Sequence, residues 1–466
     1  MQVNIFNGAF TDGQGDYRTS LPVNFFAIAK ETGLSKGYLL PADGITQWGV
    51  SQGPDRGGIN WNNQCYRVQG PKLVRIDSNG SLTVLGTING TGPATMDYSF
   101  DRLIIQSAPY LYYYSPTLGV AQITDADLGQ SLSARWFAGY TVSTDGTSVV
   151  VTDLNDPFAV NPLKYGSSES DPDKITGLER LRNELYVLNR NTIEVFQNIG
   201  GGGFPFQRVE SAQLMRGTLG SRTYCIFDEK IAFMGGARNE AIGVYLAVPG
   251  EMKISTREID LLIAEHSESD LANCVIEARV QGDQKLLYVH LPNKTLVYDL
   301  KSSNDAGQHI WTILSSAVNG YSRYRGENLV YCYGKWICGD PTSSVYGYLD
   351  RGVSSHYGQT IGWQFSTQFL YNDTAGAIIH RLELVSATGT AAFGIDPTIW
   401  TSYSLDGIKW SVERPISGGK RGDTEKRLVW LQQGSMRRQR VQKFRGTSDM
   451  HGAFARLDVV VEPLYA

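Results

Sequence analysis

The chain has 466 residues, 42 of them basic and 46 acidic, for a formal net charge of -4. That length exceeds what one hydrophobic core usually serves and predicts two or three domains, while the charge balance excludes a general nucleic-acid coat and admits only a local basic patch. Five cysteines, Cys65, Cys225, Cys274, Cys332 and Cys338, are few, odd in number and widely spaced, which excludes a secreted disulfide framework and fits synthesis in a reducing cytoplasm.

The start "MQVNIFNGAFTDGQGDY" lacks the basic and apolar pattern of an export signal. No apolar run approaches the roughly 18 residues of a membrane helix, so a soluble chain without membrane insertion is expected. Glycine at 51 residues and tyrosine at 25, with short Val, Ile, Leu and Tyr runs bounded by Asn, Asp and Gly, predict an all-β protein with little helix. Residues 1–55, including "SLPVNFFAIAKETGLSKGYLLPADGIT", match neither of the patterns that follow and are expected to wrap or dock as an N-terminal segment.

From 56 to 351 one unit recurs seven times: a polar turn, a short apolar strand, another turn and a second strand. "GPKLVRIDSNGSLTVLG" (70–86) and "GDQKLLYVHLPNKTLVYDL" (282–300) are two copies. Anchored on Leu73, Leu103, Ser148, Leu185, Ile231, Leu286 and Leu329, the copies lie 30, 45, 37, 46, 55 and 43 residues apart. These intervals scatter around the length of a four-stranded blade and predict a β-propeller of about seven blades. Regularly spaced hairpins also build sandwiches and barrels. The longest gap holds "STREIDLLIAEHSESDLANC" (255–274), where Ser255 and Glu258 resemble a capping box and Ile259, Leu262 and Ile263 share a helical face, predicting a helical insertion between blades. From 352 to 466 longer strands predict a C-terminal β-sandwich or interface domain, with Asp406-Gly407 as a tight turn.

Residues that carry chemistry are sparse. The six histidines, His266, His290, His309, His356, His380 and His451, stand far apart without HExxH spacing. Cys332 and Cys338 share an apparent hairpin but lack the second pair of a zinc ribbon. "NIGGGGFPF" (198–206) lacks the spacing, lysine and following helix of a phosphate cradle; it reads as an inter-blade loop whose Phe204 and Phe206 are candidates for contact with a neighbouring subunit. "SSESDPDK" (167–174) offers Asp171 and Asp173 as alternate oxygens without the rest of a calcium loop. "RGD" (421–423) is too short to carry a function. No catalytic, cofactor or metal residue is identified, and no cofactor is expected.

The charge pattern of the C-terminal domain is the exception. Lys420 to Arg445 holds nine Lys or Arg against Asp423 and Glu425. In "RLVWLQQGSMRRQRVQKFR" (427–445), strand alternation puts Arg438, Arg440, Gln442 and Phe444 on one face and Arg437, Gln439, Val441, Lys443 and Arg445 on the other. Neither face suits a core. Solvated arginine is the plain reading, but so dense a cluster repels itself unless acids or phosphates lie nearby, which favours an interface.

This hairpin resembles the C-terminal motif of the tail hub proteins of short-tailed bacteriophages, also called packaged DNA stabilisation proteins or tail accessory factors. "SLPVNFFA" (20–27), "GYLLPADGIT" (37–46), "NTIEVFQ" (191–197), "LLYVHLPNKTLVYDLKSS" (286–303) and "CGDPTSSVYGYLD" (338–350) are similar to the family in the same order. Asp43-Gly44 departs from the family's Pro-Gly turn, and "NIGGGGFPF" differs in detail. The resemblance implies a propeller, in agreement with the seven units. It also implies a non-enzymatic, homo-hexameric hub in the virion tail, made in the host cytoplasm. That hub would sit beneath the portal-bound adaptor ring, carry tailspikes or fibres, hold a needle or plug, retain packaged double-stranded DNA and form part of the ejection channel.

On this reading Arg437, Arg438, Arg440, Lys443 and Arg445 are salt-bridge partners between subunits or a basic ring near DNA. A ring multiplies a patch by its symmetry. The alternative is a propeller that binds or degrades host surface polysaccharide, for which the tyrosine-rich "PYLYYYSP" (109–116) is the suggestive platform. A monomeric propeller that binds a host protein is a third reading.

Overall fold

A blade has neighbours on both faces, so its middle strands need apolar side chains at consecutive positions rather than alternate ones. Leu103–Ser107 ("LIIQS") and Tyr110–Ser115 ("YLYYYS") are such strands, buried along nearly their whole length. The computed structural model describes residues 1–464 except 12, 14, 31–34, 169, 170, 249, 373 and 374. It is 54% strand and 5% helix, the all-β composition expected.

Seven antiparallel sheets follow one another at 55–87, 95–122, 133–167, 175–208, 217–253, 275–314 and 327–350, numbered blades 1 to 7 in that order. Blade 7 has three strands of its own and takes its fourth from Gly44–Val50, with Val345 opposite Val50 and Asp350 opposite Gly44. An early strand thus latches the last blade. The ring is closed: Asp55–Trp61, the first strand of blade 1, touches Glu327–Cys332 of blade 7 on one side and Thr95–Tyr98 of blade 2 on the other.

The seven anchors fall one to a blade, on the third strand in blades 1 and 3, the first in blade 7 and the second elsewhere. Their uneven spacing reflects that choice of strand. Counted from first strands, blades 1 to 4 begin at Asp55, Thr95, Ser133 and Ile175, about 40 residues apart as a four-stranded blade requires. Asn62 and Asn63, at φ 51° and 57°, make the two-residue turn between Trp61 and Gln64, where both central residues must be left-handed.

Helices α1 (Arg257–Ile263) and α2 (Glu268–Leu271) lie between blades 5 and 6, with Ile259 and Ile263 fully buried. The capping box does not form. The Ser255 hydroxyl accepts the Val244 N–H at 3.0 Å instead, and Thr256 occupies the cap position without a side-chain bond. A third helix, α3 (Leu300–Ala306), interrupts blade 6, capped by Asp299 on the Ser302 N–H at 3.0 Å and ended by Gly307 at φ 65°.

The sandwich has two sheets. One runs Phe25–Ala29, Gly37–Pro41, Phe454–Leu464, Gly376–Ser386, Leu428–Leu431; the other Gly362–Ser366, Gln439–Thr447, Thr398–Ser404, Arg414–Ser417. The first forty-one residues therefore supply three strands of this sheet, these two and Gln2–Val3, which pairs with Phe454–Leu464, and its other members come from the C-terminal hundred. Phe25 meets Trp363, Phe365 and Phe454 edge-on at 5.5 to 5.7 Å in the shared core, the arrangement the ring quadrupoles favour. Ile310 from blade 6 joins that core.

Asn24 marks the joint between the two bodies. At φ 59°, it donates its amide to Ser315 O at 2.9 Å and Gly362 O at 2.7 Å and accepts the Ser315 N–H at 2.9 Å. Asparagine tolerates this left-handed backbone better than most residues, and its amide satisfies main-chain groups from both bodies.

Candidate functional site

The arginine-rich segment is a turn followed by the strand Gln439–Thr447, which lies inside its sheet between Gly362–Ser366 and Thr398–Ser404. Alternation holds, but one face is buried: Arg440, Gln442 and Phe444 are each 0% exposed. The reading of both faces as unsuited to a core fails because the arginine is solvated by the protein. Its guanidinium carbon lies 3.8 Å from the Tyr403 ring centroid. Nε and Nη2 donate to Gln442 Oε1 at 3.2 and 3.0 Å, and Nη1 donates to Gln433 O. Burial pulls the group down to about 10, so it remains cationic at neutral pH.

Two more cations on this strand lie over aromatic rings. Lys443 Nζ is 4.3 Å from the Trp410 ring and Arg445 4.6 Å from that of Trp400. Arg445 also grips both oxygens of Glu413, and that hydrogen bonding holds the Glu413 carboxyl below the usual carboxylate range. Arg437 and Arg438 differ. They occupy the turn ahead of the strand, are exposed, and make no hydrogen bond or ion pair among the described residues. Of the five basic residues singled out in the sequence, the two in the turn are the ones free to meet a partner.

The glycine-rich loop is distributed differently. Phe206 is 4% exposed in the core shared by blades 3 and 4, with its ring 5.2 Å from Phe137. Phe204 packs edge-on against it at 5.4 Å and keeps partial exposure. Gly200 to Gly203 are exposed. In the acidic segment, Asp171 pairs with Arg238 at 2.6 Å and Asp173 accepts the Asn191 N–H, whereas Glu169 and Ser170 lie outside the described residues. The Arg421-Gly422-Asp423 stretch is exposed. Among the described residues no three His, Cys, Asp or Glu are grouped to hold a metal ion.

A second feature escaped the motif search. The propeller axis is crossed by side chains from its first strands. Arg222 of blade 5 donates to Ala94 O at 2.7 Å, ahead of blade 2, and to Asn328 Oδ1 of blade 7 at 2.9 Å. Asn328 in turn donates to Asp55 at 2.8 Å, and Asp55 is gripped twice by Arg67 at 2.7 and 2.9 Å. Arg135 of blade 3 pairs with Glu179 of blade 4, and Arg180 of blade 4 reaches back to Asp97 of blade 2 at 3.2 Å. Tyr224 OH donates to Leu178 O at 3.0 Å. The signal was present: Asp55, Asp97, Arg135, Glu179, Arg222 and Glu277 put at least one charge in or beside the first strand of each of blades 1 to 6, a recurrence to which the period could have drawn attention.

A closed propeller that shares its N-terminal strands with a sandwich is a scaffold, two bodies woven into one. The chain belongs to the family of phage P22 Gp10: residues 1–354 match the family model for the Bacteriophage P22 Gp10 beta-propeller, and residues 362–462 that for its beta-sandwich. It is 30% identical over 446 residues to the tail hub protein gp10 of Salmonella phage P22, covering 91% of each chain. The tail-hub resemblance read from the sequence is thereby borne out, and the chain is a protein of the virion tail. Among solved structures, the N-terminal domain of Nup159 is 10% identical with a TM-score of 0.41, covering 71% of this chain and 99% of that one. The Pan2 WD40 domain of Neurospora crassa is 12% identical with a TM-score of 0.41, covering 66% and 96%. Neither likeness bears on function.

Proposed function

We propose that this chain is the structural hub subunit of a phage tail. Copies would form a homo-hexameric ring that joins the portal-adaptor assembly to tailspikes or fibres and to a needle or plug, retaining DNA until ejection. The relative's role as a tail hub protein supports the structural part of this reading. The closed propeller bears only on the route of DNA: with the Arg222 guanidinium bridging Ala94 O and Asn328 Oδ1 at 2.7 and 2.9 Å, the propeller interior is not the path on this reading. Any channel for DNA must then lie between copies.

In such a ring the Arg437-Arg438 turn is the basic element available to a phosphate backbone or an acidic neighbour, since Arg440 and Arg445 are satisfied within their own sandwich. Repetition around a ring turns two free cations into a belt of charge. The test is sizing by light scattering of the purified protein, alone and mixed with portal-adaptor complexes of the same virus. Addition of six copies per complex supports the hub. A monomer that ignores the complex overturns it.

A further inference from the structure

The sandwich packs beside blade 6, where Phe25–Ala29 lies against Ile310–Leu314, and in a ring of seven the blades across the axis from it are 2 and 3. The strand Gln439–Thr447 points away from that joint. Its Thr447 end pairs with Gly362, whose carbonyl is held by Asn24. Its Gln439 end lies about 26 Å further out at the ordinary rise of a strand, and the Arg437-Arg438 turn leads into it. The two exposed arginines and blades 2 and 3 therefore occupy opposite ends of the molecule.

Those ends differ in charge. Residues 95–167, blades 2 and 3, hold seven Asp and three Lys or Arg, whereas 352–466 hold thirteen Lys or Arg and ten Asp or Glu. The outer margin of blade 3 gathers three of the acids around Tyr165. The Tyr165 hydroxyl donates to Asp127 O, and its pKa is raised by partial burial and then by the charges of Asp127, Asp145 and Asp125. Main-chain N–H groups fix two of these carboxylates without neutralising them: Asp125 accepts from Asp127 and Val160 at 2.9 and 3.0 Å, and Asp145 from Thr147 and Ser148 at 2.8 and 2.7 Å. Asp127 is exposed, and none of the three makes an ion pair among the described residues. The neighbouring cations do not cancel them. Lys164 is bound to Asp153 at 2.8 Å, which leaves Lys174, next to Ile175, whose N–H meets Gly146 O at 2.9 Å.

Each end also carries apolar surface that a contact would bury. Leu163 and Tyr165 of blade 3 are 84% and 42% exposed, and Tyr371, paired with Gln439 beside the basic turn, is 45% exposed. Opposite charges flanked by apolar side chains fit a specific contact better than two solvated faces. Complementary patches at opposite ends of one chain do not meet within it. Between copies they meet head to tail, the heterologous contact that closes a ring where the rotation allows. Duplex DNA seated on the basic turn would leave the acidic margin without a role.

We propose that the Arg437-Arg438 turn of one copy seats on the Asp125, Asp127 and Asp145 margin of blade 3 in the next copy. The inference rests on the hub reading, because it needs several copies in one tail. The test combines Asp127→Cys and Arg438→Cys in one chain and treats assembled tails with a short bis-maleimide, with R437E/R438E as the companion variant. Expected is a covalent ladder of this chain up to six copies, absent from either single cysteine variant. R437E/R438E should keep the wild-type melting temperature and enter tails at least tenfold less than wild type. No ladder from tails that hold the double cysteine chain, cross-linking of position 438 to a different virion protein alone, or full entry of R437E/R438E overturns the inference alone. Absence of the wild-type chain from tails overturns the hub reading and this inference with it.

Discussion

The Arg440 guanidinium lies 3.8 Å from the Tyr403 ring centroid with no carboxylate bound to it. A buried cation is thus held by a ring face, a side-chain amide and a main-chain carbonyl. A desolvated cation on an aromatic face gains about 2 kcal/mol, and bonds from a charged donor add to it. This residue therefore belongs to the sandwich core, while Arg437 and Arg438, three and two positions earlier, belong to the surface.

That division predicts opposite phenotypes. Arg440→Ala should destabilise the sandwich by about 2 to 4 kcal/mol, because it empties a packed site and strands the Gln442 and Gln433 acceptors. Urea unfolding of the purified protein measures it. The double variant R437S/R438S should unfold within about 0.5 kcal/mol of wild type, as exposed substitutions generally do. It should nevertheless fail to join portal-adaptor complexes or bind duplex DNA with a shallower salt dependence. Normal assembly and an unchanged salt slope would remove the turn from the functional surface.

The axial bridge has its own test. Arg222→Met keeps much of the bulk but leaves Ala94 O and Asn328 Oδ1 without their donor, which should cost about 1 to 3 kcal/mol. Hydrogen exchange should quicken at the axial ends of blades 2, 5 and 7 more than in blade 6. Uniform exchange across all blades would show that the bridge does not pin the ring.

Asn24 predicts how the two bodies are coupled. Asn24→Ala loses three hydrogen bonds to Ser315 and Gly362 and places alanine at φ 59°; Asn24→Gly loses the same bonds but relieves the backbone. Both should split the calorimetric transition into separate propeller and sandwich steps, alanine at the lower temperature. A single transition in both variants would mean that the shared strands suffice to couple the bodies.

The joint at blade 7 should be acid-sensitive. Burial, reinforced by the nearby Arg325 cation, lowers His356 to about 3, whereas an unfolded histidine titrates near 6.5. Between those values the unfolded chain binds more protons than the folded one. The stability from neutral His356 is therefore complete above about pH 6.5 and declines as pH falls toward about 3. Its Nδ1 lies 2.8 Å from Ser316 Oγ and its backbone bridges Ile45 of the latching strand, so the loss should appear as loosening of Gly44–Val50. Melting temperature against pH should fall less steeply in His356→Gln; parallel curves would count against this assignment.

The sequence by itself determined the class of fold. Seven blade-sized units and a change of strand pattern near residue 352 follow from alternation and turn chemistry, which act over a few residues, and the family was legible in the order of its motifs. What only the tertiary structure decided depends on meetings between distant residues. Nothing in "SLPVNFFAIA" says that Phe25–Ala29 pairs with Gly37–Pro41 in a sandwich sheet, or that Gly44–Val50 completes blade 7 about 300 residues later. Nor could strand alternation separate Arg440 from Arg438, since both lie on one nominal face. Burial of one and exposure of the other depend on Tyr403 and on where the strand begins, and those are facts of packing rather than of pattern.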